Sequence, residues 1–352
     1  MTIGVVARKL LWARAGNQCA FPDCVQPLTE DLHDADSSTL RVQGVVLGEE
    51  AHIRSGQSDG PRYEAAYPVD SIDTYENLIL LCPTHHTLVD KDKGRGFTTD
   101  QLLTVKSAHE AQLNAQRSTT ERARLQAEER TATAVARWGE ARYIQEFGRL
   151  TYSLNQAVPV IRESNFDSLI GTGQVLLARV WPIFLPRIAA AFDRHRQAIS
   201  LLTQHINQSM EMLEGSEPHR WTERAYKRLS KWDPPAYDRL FEQFLVDCVA
   251  TWYLTFHLVR TGNLIIRAIH AELDPLFRFD EGLLLMHSGD GILEHKMTRV
   301  EYETQNTAEL PDLPTLAEIK VRISSLARAT STGRADDISI SDIDAVPDST
   351  KP

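Results

Sequence analysis

The chain has 352 residues, 42% of them hydrophobic, with 38 Lys and Arg against 48 Asp and Glu and a formal charge of −10. That length holds two domains with cores of their own, while the charge excludes the broad basic field that makes non-specific binding to polyanions tight. The first third is no exception, since residues 1–118 carry 11 Lys and Arg against 16 Asp and Glu.

In chain order, residues 1–18 read as a short helix anchored by Val5, Val6, Leu10, Leu11 and Trp12 and stopped by Gly16. Cys19 and Cys24 follow at turn spacing. The valine-rich stretch Leu40–Ile53 reads as a strand carrying His52 at its end. Residues 54–76, with Gly56, Gly60, Pro61 and Pro68, read as a long loop, and long loops inside compact domains are usually functional. An apolar run opens at Asn77, reaches Cys82, and leads into His85, His86 and Asp90.

Successive side chains on a helix point about 100° apart, whereas residues i and i+4 share a face. Cys82 and His85 are therefore expected to face one metal and His86 with Asp90 another. Cys19, Cys24, Cys82 and His85 have the types and local spacings of a closed structural zinc site. The alternative for Cys19 and Cys24 is a pair of buried thiols or a disulfide, which needs an oxidising compartment and an export signal that the sequence does not display. Free thiols reserved for metal lead to the expectation of a cytoplasmic location.

These residues resemble an HNH endonuclease with the ββα-metal fold and zinc knuckle, and the wording Gly48–Ile53, Gly60–Tyr63, Glu76–Cys82 and His85–Asp90 is similar to the nuclease part of bacterial anti-phage proteins. The resemblance spans roughly residues 3–115. It implies that His52, Asn77 and His86 are the catalytic set: His52 the general base, Asn77 a bridge across the loop, and His86 a ligand of Mg²⁺ or Mn²⁺. Many members place an Asp before the first His, where this chain has Ala51, so Glu50 or Asp90 is expected to supply the carboxylate. Arg54, Arg62, Lys91, Lys93 and Arg95 surround these positions and are the expected phosphate contacts. The fold class implied is α+β, an N-terminal HNH domain (1–116) followed through a helical linker (117–137) by a mainly α-helical domain (138–310) and a mostly disordered tail (311–352).

In the later part, Thr98 or Thr99 caps a helix, and apolar stripes predict helices through Trp138–Leu150, Ile199–Leu213 and Leu240–Val259. Cys248 and His257 read as core or surface residues. Pro182 and Pro186 interrupt the chain between Val175 and Ala191, and a hairpin is expected around Ser288–Gly291. The most apolar window, Phe244–Ile266, contains Asp247 and Arg260, so no membrane span is expected. The functional expectation is cleavage of DNA, double-stranded by preference, under control of the helical part through an activating ligand, a partner protein or homo-oligomerisation. A catalytically dead zinc module that binds nucleic acid, or a helical interaction scaffold, is the rival reading.

Overall fold

The computed structural model describes residues 3–33, 42–289, 295–329 and 340–345. The chain forms two compact units, Met1–Arg137 and Trp138–Pro352. It is predominantly helical, with small antiparallel sheets.

The first unit begins with α1 (Val5–Ala15), which ends on Gly16 in the left-handed conformation. Strands β1 (Thr29–His33) and β2 (Val42–Val46) pair antiparallel, as do β3 (Glu49–His52) and β4 (Leu78–Leu81). The single strand expected over Leu40–Ile53 is thus two strands, and Leu40 and Arg41 lie outside the described residues. The break falls at Leu47 and Gly48, whose amides both donate to the Leu28 carbonyl, at 2.8 and 3.0 Å. Gly48 is required there, because a Cβ would stand 2.6 Å from the Trp12 ring.

Strand β4 is the centre of this unit. Leu78, Ile79, Leu80 and Leu81 are all at most 1% exposed, as a run without apolar alternation demands when both faces are covered. Leu11 and Ala15 of α1, Val89 of α2 (Pro83–Gly94) and Leu102 of α3 (Thr99–Gln116) complete one apolar cluster around it. Helix α3 starts on a capping box between Thr98 and Gln101. Leu80→Ala is expected to destabilise this unit by about 2–5 kcal/mol through transfer and cavity terms, read as a shift of the denaturant midpoint at constant slope.

Helix α4 (Thr119–Gly139) follows, then α5 (Arg142–Gln145), α6 (Phe147–Leu154), β5 (Val160–Arg162), α7 (Glu163–Ala178) and α8 (Pro186–Ser209). Next come β6 (Met210–Leu213), β7 (His219–Thr222), α9 (Pro234–Glu272), β8 (Leu285–Ser288), β9 (Lys296–Arg299), α10 (Leu316–Ala329) and α11 (Ile340–Ala345). The 39-residue α9 is the spine of the second unit, capped by Asp233 and packed against α8. Cys248 and His257 are buried in it. Among the described residues, no helix is long and apolar enough to cross a membrane.

Four details differ from the sequence reading. The Trp138–Leu150 stripe is split because Ala141 is extended (φ −59°, ψ 135°), leaving Trp138 in α4 and the rest on α5 and α6. Met210 and Leu213 lie on β6, paired with β7, rather than on a helix. The second unit also contains a three-stranded sheet, ordered β5-β7-β6. Finally, the stretch expected to be a mostly disordered tail holds α10, whose Ile319, Ile323 and Ala327 form a buried stripe at i+4 spacing, and α11, with Ile343 buried. Of the predicted hairpin, β8 and β9 pair antiparallel, while Asp290 and Gly291 lie outside the described residues.

Candidate active site and metal cluster

The β3–β4 hairpin carries His52 at the end of one strand and Asn77 just before the other, with the loop 54–76 between them. Asn77 is fully buried. Its Oδ1 accepts from the Arg54 amide at 3.0 Å, and its Nδ2 donates to the carbonyls of Arg54 and Ile72, both at 2.9 Å. Three bonds from one side chain thus close the loop on itself immediately after His52. The His52 ring donates from Nε2 to Asp73 Oδ1 at 2.8 Å, which leaves Nδ1 as the nitrogen able to accept a proton.

His86 comes from the first turn of α2, where Cys82 is the N-cap and Pro83 opens the helix. Its Nε2 lies 3.2 Å from Asp90 Oδ2, one turn along the same helix, and its Nδ1 meets Glu49 of β3. The bond to Asp90 raises the His86 pKa, burial opposes that, and Glu49 adds to the rise. Burial would raise the Asp90 carboxyl in turn, but bonds to His86 and Arg62 outweigh it and hold the pKa below its ordinary value. His86 Nε2 and Asp90 form a donor pair for a divalent cation, their 3.2 Å separation suiting neighbouring positions around one whose bonds are roughly 2.1 Å, while Glu49 lies on the other ring nitrogen, where a carboxylate orients a ligating histidine. His52, Asp73, His86 and Asp90 line one cleft of about 250 Å³, together with Ser55 and Gln57.

Beside it, Cys19, Cys24, Cys82 and His85 bring their ligand atoms within 4.8 Å of one another. The separations are 3.9 Å for Cys24 Sγ to Cys82 Sγ, 3.5 Å for Cys19 Sγ to His85 Nδ1 and 3.2 Å for Cys82 Sγ to His85 Nδ1. A tetrahedral zinc ion with Zn–S bonds of about 2.3 Å needs sulfur pairs roughly 3.8 Å apart, whereas a disulfide needs about 2.05 Å. The four therefore fit zinc, and the disulfide alternative for Cys19 and Cys24 falls, since both cysteines are free. Burial pushes the Cys19 thiol up to about 12, so the charge that makes it a thiolate has to come from a cation. Phe21 stacks on the His85 ring at 4.0 Å and 9°, and the Ala20 amide donates to the Leu80 carbonyl at 2.9 Å, tying this corner to β4.

Residues 25–93 match the HNH endonuclease family. The match covers about a fifth of the chain and takes in His52, Asn77 and His86 in order. It begins one residue after Cys24, so the first two cysteines of the cluster stand outside it. No curated protein matches the chain.

Within the HNH segment, several residues are placed otherwise than the sequence predicts. Glu50 does not face His86: its carboxylate accepts from Arg8 Nε at 3.0 Å and Trp12 Nε1 at 2.8 Å, so it fastens β3 to α1. The adjacent Glu49 takes the position at His86 instead. Arg62 is turned inward, its side chain 5% exposed, donating to the carbonyls of His52, Ile53 and Val89 and to Asp90. It stitches the loop to α2 and aims Asp90, and has no free edge for a phosphate. Arg54 pairs with Glu64 at 2.9 Å and lies 4.6 Å over the Tyr67 ring, so both contacts hold it within the loop. Lys91, Lys93 and Arg95 are exposed, but helical geometry fails from Lys91 to Lys93, where Asp92 and Lys93 have φ of 53° and 60°. Asp73 and Glu49 were not singled out from the sequence. Asp73 is one of several acidic residues in a long loop, without a spacing signal toward His52. Glu49 is separable from Glu50 only by knowing which side of β3 meets α1.

Proposed function

We propose that the chain is a metal-dependent HNH endonuclease of the ββα-metal type that hydrolyses phosphodiester bonds of double-stranded DNA. The observation that carries this reading is the convergence of His52, paired with Asp73, and His86, paired with Asp90, on one open cleft. His86 Nε2 and Asp90 would hold a Mg²⁺ or Mn²⁺ ion there, with Glu49 behind the ring at Nδ1 to orient it, and the ion would supply neutralisation of charge on the scissile phosphate and the departing oxygen. His52 Nδ1 takes the proton of the attacking water. Asp73 fixes the ring tautomer by accepting from Nε2 and stabilises the imidazolium that results, as a carboxylate behind a catalytic histidine does. Asn77 keeps the loop closed so that His52 holds its aim, and the zinc cluster fixes the start of α2, hence the position of His86.

Both parts of the chain are acidic, residues 1–118 by 16 to 11 and the remainder by 32 to 27. Weak intrinsic affinity for DNA follows, and with it a role for the helical unit in bringing the nuclease to its substrate. The similarity of the motif wording to nuclease parts of anti-phage proteins supports a defence effector gated in this way.

The experiment is cleavage of supercoiled plasmid with Mg²⁺ or Mn²⁺, comparing the wild type with Glu49→Gln, Glu50→Gln and a chelator control. Cleavage abolished by chelator, lowered about 10–100-fold by Glu49→Gln, the usual cost of disturbing a group that orients a metal ligand, and retained with Glu50→Gln is the expected pattern. Wild-type cleavage by Glu49→Gln would remove Glu49 from the support of His86, and cleavage that survives the chelator would overturn the metal dependence.

A further inference from the structure

Outside the HNH segment, the second unit brings two more imidazoles together. His287 on β8 and His295, one residue before β9, have Nδ1 and Nε2 respectively 3.1 Å apart, with ring centroids 5.0 Å apart and planes at 53°. Helix α6 is shaped around the first of them. The His287 amide donates to Thr151 Oγ1 at 3.1 Å, and Asn155 Nδ2 donates to the His287 carbonyl at 3.2 Å. Gly148, one turn earlier on the same helix, lets the ring lie against the backbone: a Cβ there would stand 2.8 Å from His287 Cε1 and 3.0 Å from Nε2. Tyr152 meets the His295 ring edge to face at 5.5 Å. Positions 148, 151, 152 and 155 recur at helical spacing, so one face of α6 is given over to holding the pair.

We propose that His287 and His295 form a second metal site, a two-imidazole chelate for a late first-row divalent cation such as Ni²⁺, Cu²⁺ or Zn²⁺. Imidazole is the side chain such ions prefer. With metal–nitrogen bonds of about 2.0–2.1 Å, two ligand nitrogens stand roughly 3.0 Å apart at a right angle and roughly 3.4 Å apart at a tetrahedral one, and the 3.1 Å found here lies between. Nδ1 is the His287 nitrogen that faces His295 Nε2, which makes it the ligand atom. The cleft beside the pair, about 280 Å³ and lined also by Arg149 and Tyr152, leaves room for water in the remaining coordination positions.

The simpler account is a hydrogen bond shared between the two rings, and the test separates the two. Untagged, zinc-loaded full-length protein carrying His86→Ala, which disables the HNH metal position, is titrated with NiCl₂ in a calorimeter. One Ni²⁺ per chain is expected to bind, and to be lost when either His287→Ala or His295→Ala is added, with the melting curve of each variant recorded as a fold control. Gly148→Ala keeps both ligands but displaces one, and is expected to weaken binding by about 10–100-fold, the usual cost of disturbing a group that orients a metal ligand. Absence of Ni²⁺ binding in the His86→Ala protein, or binding indifferent to both histidine substitutions, would overturn the proposal.

Discussion

His52→Ala is expected to slow plasmid cleavage by about 10²–10⁴-fold, the usual contribution of a positioned general base, with the metal content and the melting curve unchanged. The fold should tolerate the change, because the side chain is 36% exposed at a strand end and, among the described residues, its side-chain bond runs to Asp73. The strand around it is held by other means: the β3–β4 ladder, the Asn77 amide and the bonds from Arg62. Asp73→Asn tests the second half of the assignment. An amide presents its nitrogen as readily as its oxygen to the ring, so the tautomer is no longer fixed, and kcat is expected to fall while KM stays near that of the wild type. Cleavage at the wild-type rate by His52→Ala would sink the base assignment. A fall in KM and kcat together for Asp73→Asn would mean that Asp73 shapes the substrate cleft rather than the base.

The parts of this site that were legible in the sequence are those with local spacing. Cys82, His85, His86 and Asp90 sit within one strand end and two helical turns, where periodicity alone says which residues share a face. The apolar run from Leu78 to Leu81 is as buried as its composition demands. What the sequence withheld is decided by long-range packing. Glu49 and Glu50 differ by one position on a strand, and only the location of Arg8 and Trp12 on α1 settles which carboxylate is occupied. Arg62 looks like a surface cation in a loop until three carbonyls and Asp90 are seen to surround it. In the second unit, α8 stops at Ser209 although its apolar spacing runs on into Met210, because the next residues pair with β7 and strand and helix patterns overlap over so short a run.

Stripping zinc is expected to cost the first unit most of its stability. The cluster joins residues 63 positions apart in the chain, the turn at Cys19–Cys24 and the junction of β4 with α2, and structural zinc sites contribute their binding free energy directly to folding, about 10–16 kcal/mol in isolated zinc-finger peptides. Around it, Cys19 and Cys82 are 3% and 1% exposed, so without the cation three thiols and an imidazole remain packed together with little beyond weak mutual bonds and the Cys82 amide to satisfy them. The apolar cluster around β4 provides a partial counterweight, which makes loss of order around α2 and the Cys19–Cys24 turn the first event, before the core opens. His86 and Asp90 ride on that helix, so catalysis should fail in the same titration. The measurement is zinc release by a mercurial reagent, followed by its colour with a chelating dye, alongside a thermal melt: one zinc per chain, three thiols that become reactive on release, and an early transition that appears only in the stripped protein. Cys82→Ala should reproduce the stripped melt. Wild-type melting by a protein shown to be free of zinc would mean that packing alone holds the knuckle, and that the three thiols and His85 serve some other end.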